Sequence, residues 1–201
     1  MWGDRCLIDI VGMGDSLTYG YPYGPKASWL NLVAEKLGLI VVNKGVSGET
    51  TGEMLTRFDQ DVISLRPRIV IIMGGTNDAW ASISVSEVKN NVETMADKAL
   101  QNNITPVIGL PTPLCKKEVH VSIAFLERMA DFLENYRQAY LEIAKSRDLQ
   151  ILNFFAPPLL DKDNWGKKEF FNDGGHPNQE GYKVMADMAL SSLKNIKIKE
   201  S

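Results

Sequence analysis

The stretch Gly12-Met13-Gly14-Asp15-Ser16-Leu17-Thr18 sets a hydroxyl behind two glycines, after the apolar run Leu7-Ile8-Asp9-Ile10-Val11. A strand that ends in a glycine turn presents the next residues at the carboxyl edge of a sheet, where open α/β sheets bind ligands. A serine in that position is a candidate nucleophile if a base and an oxyanion stabiliser come from elsewhere in the chain. There are two histidines, His120 and His176. His176 lies in Asp173-Gly174-Gly175-His176-Pro177, and the Asp-x-x-His spacing lets the carboxylate reach imidazole Nδ1 across one turn, leaving Nε2 for a hydroxyl. Gly48, in the loop Asn43 to Thr50, offers a backbone N–H with no side chain in the way. Asn77 offers an amide behind Gly74-Gly75. Singly, each has an ordinary structural reading: a turn with a helix cap at Gly-Asp-Ser, a left-handed turn at Gly48, a turn and N-cap at Asn77-Asp78, a loop histidine at 176. Their conjunction in separate loops is what points to nucleophilic chemistry.

Those loops follow a regular alternation of elements. Apolar strand patterns occur at Cys6–Val11, Leu39–Val42, Ile69–Met73, Pro106–Leu110 and Leu149–Phe154. Helical spacing occupies about Ala27 to Leu37, Thr51 to Leu65, Ser84 to Asn102 and Val121 to Arg147, with a last helix from after Pro177 to about Leu193. Glycine 38 stops the first helix and Pro67 follows the second. Leu39–Val42 is a continuous apolar run, as expected of a strand buried on both faces. Five βα units predict an α/β fold with one parallel sheet, helices on both faces and right-handed crossovers, in strand order 2-1-3-4-5. Ser16, Gly48 and Asn77 then follow strands 1, 2 and 3 at one rim.

With 201 residues, 44% hydrophobic and 23% charged, the chain reads as a single globular domain over 1–201. The net charge of −3 gives no electrostatic reason to expect nucleic acid. Apolar runs fall short of the ~20 residues that span a bilayer, and Met1 to Arg5 lack a basic segment followed by an apolar one, so a cytoplasmic location and no membrane partner are expected. Cys6 reads as a small core residue and Cys115 as a thiol with no base beside it; no Cys/His spacing suggests zinc. The lysines 194, 197 and 199 read as a solvated end that complements a helix C-terminus.

Four blocks resemble the GDSL, or SGNH, hydrolase family: Gly14-Asp15-Ser16-Leu17; Gly45-Val46-Ser47-Gly48-Glu49-Thr50, although Asp is commoner where Glu49 stands; Gly75-Thr76-Asn77-Asp78; and Asp173-Gly174-Gly175-His176-Pro177-Asn178 with Gly181-Tyr182 behind. The resemblance spans Leu7 to Tyr182. It implies a flavodoxin-like three-layer α/β/α sandwich and hydrolysis of esters or thioesters without metal or cofactor. It also implies that Ser16 is the nucleophile, His176 the base and Asp173 its orienter, with the N–H groups of Ser16 and Gly48 and the amide of Asn77 as the oxyanion hole. The G-x-S-x-G elbow of the α/β-hydrolases is missing, since Thr18 holds the last glycine's place. Tyr19, Tyr21 and Tyr23, Trp80, and Trp165, Phe170 and Phe171 either wall an apolar acyl or aryl site or pack loops on the sheet; Tyr19, Trp80 and Phe171 are taken as substrate-binding. Short connections favour short-acyl, aryl or acetyl-sugar esters as small-molecule substrates. The alternatives are a metal-dependent phosphoester hydrolase with Asp15, Asp78, Asp173 and His176 as ligands, an acyltransferase on the same residues, and a non-catalytic binding protein.

Overall fold

A computed structural model describes residues 8–193. Five strands, β1 (Ile10–Gly14), β2 (Val41–Gly45), β3 (Ile69–Met73), β4 (Thr105–Leu110) and β5 (Gln150–Asn153), form one parallel sheet in the order β2-β1-β3-β4-β5. This is the order expected from the sequence. The helices are α1 (Ser16–Tyr19), α2 (Trp29–Leu37), α3 (Thr51–Asp61), α4 (Thr76–Ala81), α5 (Val85–Gln101), α6 (Ile123–Arg147) and α7 (Gln179–Leu193).

Because successive side chains of a strand point to opposite faces, the sheet builds two cores. Val11, Met13, Val70, Ile72 and Ile108 face α3, α5 and α6, meeting Met54, Phe58, Val92, Met95, Leu133 and Tyr136. Ile10, Ile69, Ile71, Met73 and Val107 face α2 and α7, meeting Trp29, Leu30, Val33, Tyr182 and Met185. The layers are therefore helix, sheet, helix.

Several boundaries differ from the sequence reading. Strand β1 runs through Gly12 and Gly14 rather than ending before them. The glycines are accommodations inside the strand: a Cβ on Gly14 would stand 2.2 Å from Thr18 Oγ1 and 2.6 Å from the Met73 carbonyl oxygen. Strand β2 extends into the polar Asn43-Lys44-Gly45 and is only partly buried, because it forms an edge of the sheet. The helix expected to reach Leu65 ends at Asp61, where Val62 leaves helical geometry and a 3-10 turn follows over Ile63–Leu65. Helices α1 and α4 are too short for apolar periodicity to announce. Cys6 and lysines 194, 197 and 199 lie outside the described residues.

Register brings the rim together. Gly14 pairs with Gly45 on one side and with Met73 on the other, so β1, β2 and β3 end level. Everything that follows those three residues leaves the sheet at the same height. Replacing Gly14 by alanine forces a methyl into a space without room, and overpacking of this kind costs about 1–3 kcal/mol. Urea unfolding should show Gly14→Ala destabilised by that amount, whereas Gly175→Ala, whose Cβ meets nothing within 4 Å, should stay within about 0.5 kcal/mol.

Candidate active site

Asp15 caps α1, its Oδ1 accepting the Leu17 N–H at 2.9 Å, and Ser16 is the first residue of that helix. First-turn N–H groups have no intrahelical partner, and the Asp15 cap is taken by Leu17, which leaves the Ser16 N–H outside the helix's own bonding. Its side chain is nearly buried, at 6% residue exposure, and Oγ stands 3.1 Å from Nε2 of His176, 160 residues further along the chain.

The imidazole is held from behind. Nδ1 lies 2.9 Å from Asp173 Oδ2 and 3.1 Å from Oδ1, while Oδ1 also accepts the backbone N–H groups of Gly175 and His176 at 2.8 Å. Burial alone would raise the Asp173 carboxyl. The bond from His176, the two backbone donors and the imidazole charge outweigh it and hold the pKa down at about 2. An ionised carboxylate at Nδ1 fixes the tautomer that leaves Nε2 free to accept a proton from Oγ. Tyr21, whose ring centroid is 4.8 Å from that of His176, covers one side of the imidazole. Its carbonyl accepts the Tyr182 hydroxyl at 2.9 Å, and the Tyr23 hydroxyl donates to Asn172 Oδ1 at 3.0 Å, so the loop after α1 is tied to the loop carrying His176.

Asn77 comes from the first turn of α4 and donates one amide hydrogen to the Glu49 carbonyl at 2.8 Å. The amide has a second donor, which stays available. The next residue, Asp78, is fully buried and crosses the same gap: its carboxylate accepts Thr51 N–H at 3.0 and 3.1 Å and Thr51 Oγ1 at 2.6 Å, and Asn91 Nδ2 donates to that Oγ1 at 3.2 Å. Two consecutive residues after β3 thereby fix the loop after β2. Gly48 sits on that loop, exposed, at φ +90°, with open space where a Cβ would be.

Ser16, Asn77, Trp80, Asp173 and His176 line one cavity of about 260 Å³. Its apolar wall is Leu114, Val119, Val121, Leu126 and Met129, from the segment after β4 and the start of α6. Gly48 is not among the residues that line this cavity. Of the expected aromatic wall, Trp80 lines the cavity and is 55% exposed, whereas Tyr19 and Phe171 do not line it. Phe171 is fully buried, its ring against Gly166, so its predicted contact with substrate is corrected to an interior packing role. His120, read as a loop residue, is exposed and lines the cavity. The pocket wall was missed because Leu126 and Met129 carry the same helical spacing as any core stripe. Cys115 is buried; its N–H donates to the Gly174 carbonyl at 2.9 Å, and Lys117 Nζ donates to the Phe171 carbonyl at 2.8 Å. The wall segment and the histidine loop are therefore joined.

The alternative cation site is not assembled. Asp78 is turned to Thr51 and Asp15 to Leu17, and no three His, Cys, Asp or Glu side chains converge as metal ligands among the described residues. No helix among them is long and apolar enough to cross a membrane.

Residues 13–184 match the model of the GDSL-like Lipase/Acylhydrolase family. A Bacillus subtilis lipoprotein, YqeF, is 32% identical, covering 88% of this chain and 78% of its own. An arylesterase of Vibrio mimicus is 25% identical, covering 92% and 87%. The solved structure of a G-D-S-L family protein from Desulfitobacterium hafniense DCB-2 superposes with a TM-score of 0.80 at 28% identity, covering 92% of this chain and 98% of that one.

Asp15 carries a pH signature. Its carboxyl is fully buried, and Oδ2 has no hydrogen-bond partner among the described residues. Burial pushes its pKa up to about 7 against the opposing Leu17 N–H and His176 charge. The unfolded chain releases this proton near 3.8 and the folded chain near 7, so folding retains the proton in between and stability falls as pH rises through that window. Asp15→Asn keeps the Oδ1 acceptor and does not titrate. Its melting temperature relative to the parent should climb from pH 4 to pH 7 and then level; a difference independent of pH would contradict this.

Proposed function

Since this chain belongs to the GDSL-like lipase/acylhydrolase family, we propose that it is a carboxylic ester hydrolase working through an acyl-enzyme on Ser16. The 3.1 Å approach of Ser16 Oγ to His176 Nε2, with Asp173 behind the imidazole, carries the reading. Oγ attacks the acyl carbonyl while Nε2 takes its proton. The carbonyl electrons move onto oxygen, which the N–H groups of Ser16 and Gly48 and the free amide hydrogen of Asn77 receive. When the tetrahedral adduct collapses, His176 gives its proton to the departing alkoxide, and the alcohol leaves. Water then attacks the acyl-enzyme by the same route, restoring the hydroxyl and releasing the acid. Asp173, ionised throughout, stabilises the imidazolium that forms between the two transfers.

The cavity supports a class of substrate. About 260 Å³ with an apolar wall suits a short acyl chain or a small aryl group. Trp80 at its edge and Tyr21 beside the imidazole offer flat surfaces to an aryl or sugar leaving group. The Vibrio mimicus relative, an arylesterase, fits this reading.

Turnover of a p-nitrophenyl ester series should be greatest for acetate and butyrate and should fall for palmitate. Ser16→Ala should fold normally, with no turnover and no labelling by a fluorophosphonate. One oxyanion donor is worth about 2.7–4 kcal/mol, so Asn77→Ala should lower kcat by ~10²–10³ with a smaller change in KM. A change confined to KM would remove Asn77 from the hole.

A further inference from the structure

The loop carrying Gly48 is poorly supported by its own side chains. Val46, Ser47 and Gly48 are exposed, and no side chain at 48 can anchor the turn. What holds it lies on either side. The Val46 N–H donates to the Gly14 carbonyl at 3.0 Å, and the Glu49 N–H to the Val46 carbonyl at 3.3 Å. The Glu49 side chain meets Arg57 of α3, whose Nε and Nη2 approach Glu49 Oε2 at 2.7 and 2.6 Å. Arg57 Nη2 also donates to the carbonyls of Gly14, at 3.2 Å, and Lys44, at 2.9 Å. Nη1 is held by Asp61 Oδ2 at 2.7 Å, and Asp61 in turn takes Lys44 Nζ at 2.7 Å. The Arg57 and Glu49 side chains are 17% and 18% exposed.

A planar guanidinium with five fixed donors can register several acceptors against one another, which a lysine ammonium cannot. Here those acceptors belong to the end of β1 two residues before Ser16, the end of β2, and the residue after Gly48. Glu49 is also the residue whose carbonyl holds the Asn77 amide. Each of the three oxyanion donors named above is therefore two or three covalent or hydrogen-bonded steps from this guanidinium.

We propose that Arg57, through its pair with Glu49, is a positioning residue that sets the oxyanion hole by locking the Gly48 loop to the ends of β1 and β2. This rests on the acyl-enzyme reading. The Glu49 side chain reaches Arg57 and its carbonyl reaches Asn77, so one residue couples the ion pair to the hole. Shortening or neutralising it loosens both.

The test is a cycle on p-nitrophenyl acetate, with rates expressed per site titrated by a fluorophosphonate. Arg57→Lys and, separately, Glu49→Gln should each lower kcat roughly tenfold, within the range expected of small misplacements, with KM changed less than about twofold. In the Asn77→Ala background the same substitutions should cost less than they do in the parent, because one of the two donors they help to aim is gone. Glu49→Gln retains an acceptor for Arg57 and carries the test if Arg57→Lys does not fold. Full additivity with Asn77→Ala, an effect on KM alone, or a lowered melting temperature with kcat intact overturns the proposal while leaving the acyl-enzyme reading in place. Turnover surviving in Ser16→Ala overturns that reading itself.

Discussion

Three neighbouring parallel strands that stop at the same level are the constraint on which the site depends. Gly14 facing Gly45 and Met73 is a matter of sheet register, set by backbone bonds and by apolar side chains that must enter one core or the other. A slip of one residue in β2 or β3 would exchange the faces of every side chain on that strand, and would also displace Gly48 or Asn77 relative to Ser16. Core packing and the alignment of polar groups at the rim are thus enforced by the same pairing.

Polar groups are concentrated at that rim, where the two cores end. Asp78 buries a carboxylate against Thr51, and burial raises its pKa against those hydrogen bonds. Arg57 stands between Glu49 and Asp61, and Tyr140 donates to the Gly74 carbonyl at 3.0 Å. Buried polar networks of this kind contribute little net stability over apolar packing, yet removing one member strands the others. Their effect here is directional. They fix loops that have almost no apolar side chains of their own, including the one that carries Gly48.

The sheet, its strand order and the two helix layers were legible because Ile69–Met73 and its neighbours are unbroken apolar runs and the helices between them are long enough to show a period. Ser16, Asp173 and His176 were legible because glycines and a proline punctuate the loops around them. The glycines of β1 misled: they read as a turn, but both pair with the neighbouring strands, at places where a Cβ would collide with Leu30 or Thr18. Phe171 misled because sequence gives proximity to Asp173 and says nothing of direction. The wall formed by Leu114, Leu126 and Met129, and the reach of Arg57 to strand ends 43 and 13 residues away, depend on tertiary placement that no local pattern encodes.

The bond from the Cys115 N–H to the Gly174 carbonyl joins the side of the cavity to the strip of backbone that bears the imidazole. Lys117, bonded to the Phe171 carbonyl, adds a second stitch between the same two segments. A guest too bulky for its compartment would press on the first segment and drag the second, tilting the ring away from the hydroxyl. On the proposed mechanism, size discrimination would then register as slower chemistry as well as weaker association, because the segment that meets the guest is tied to the one that bears the proposed base.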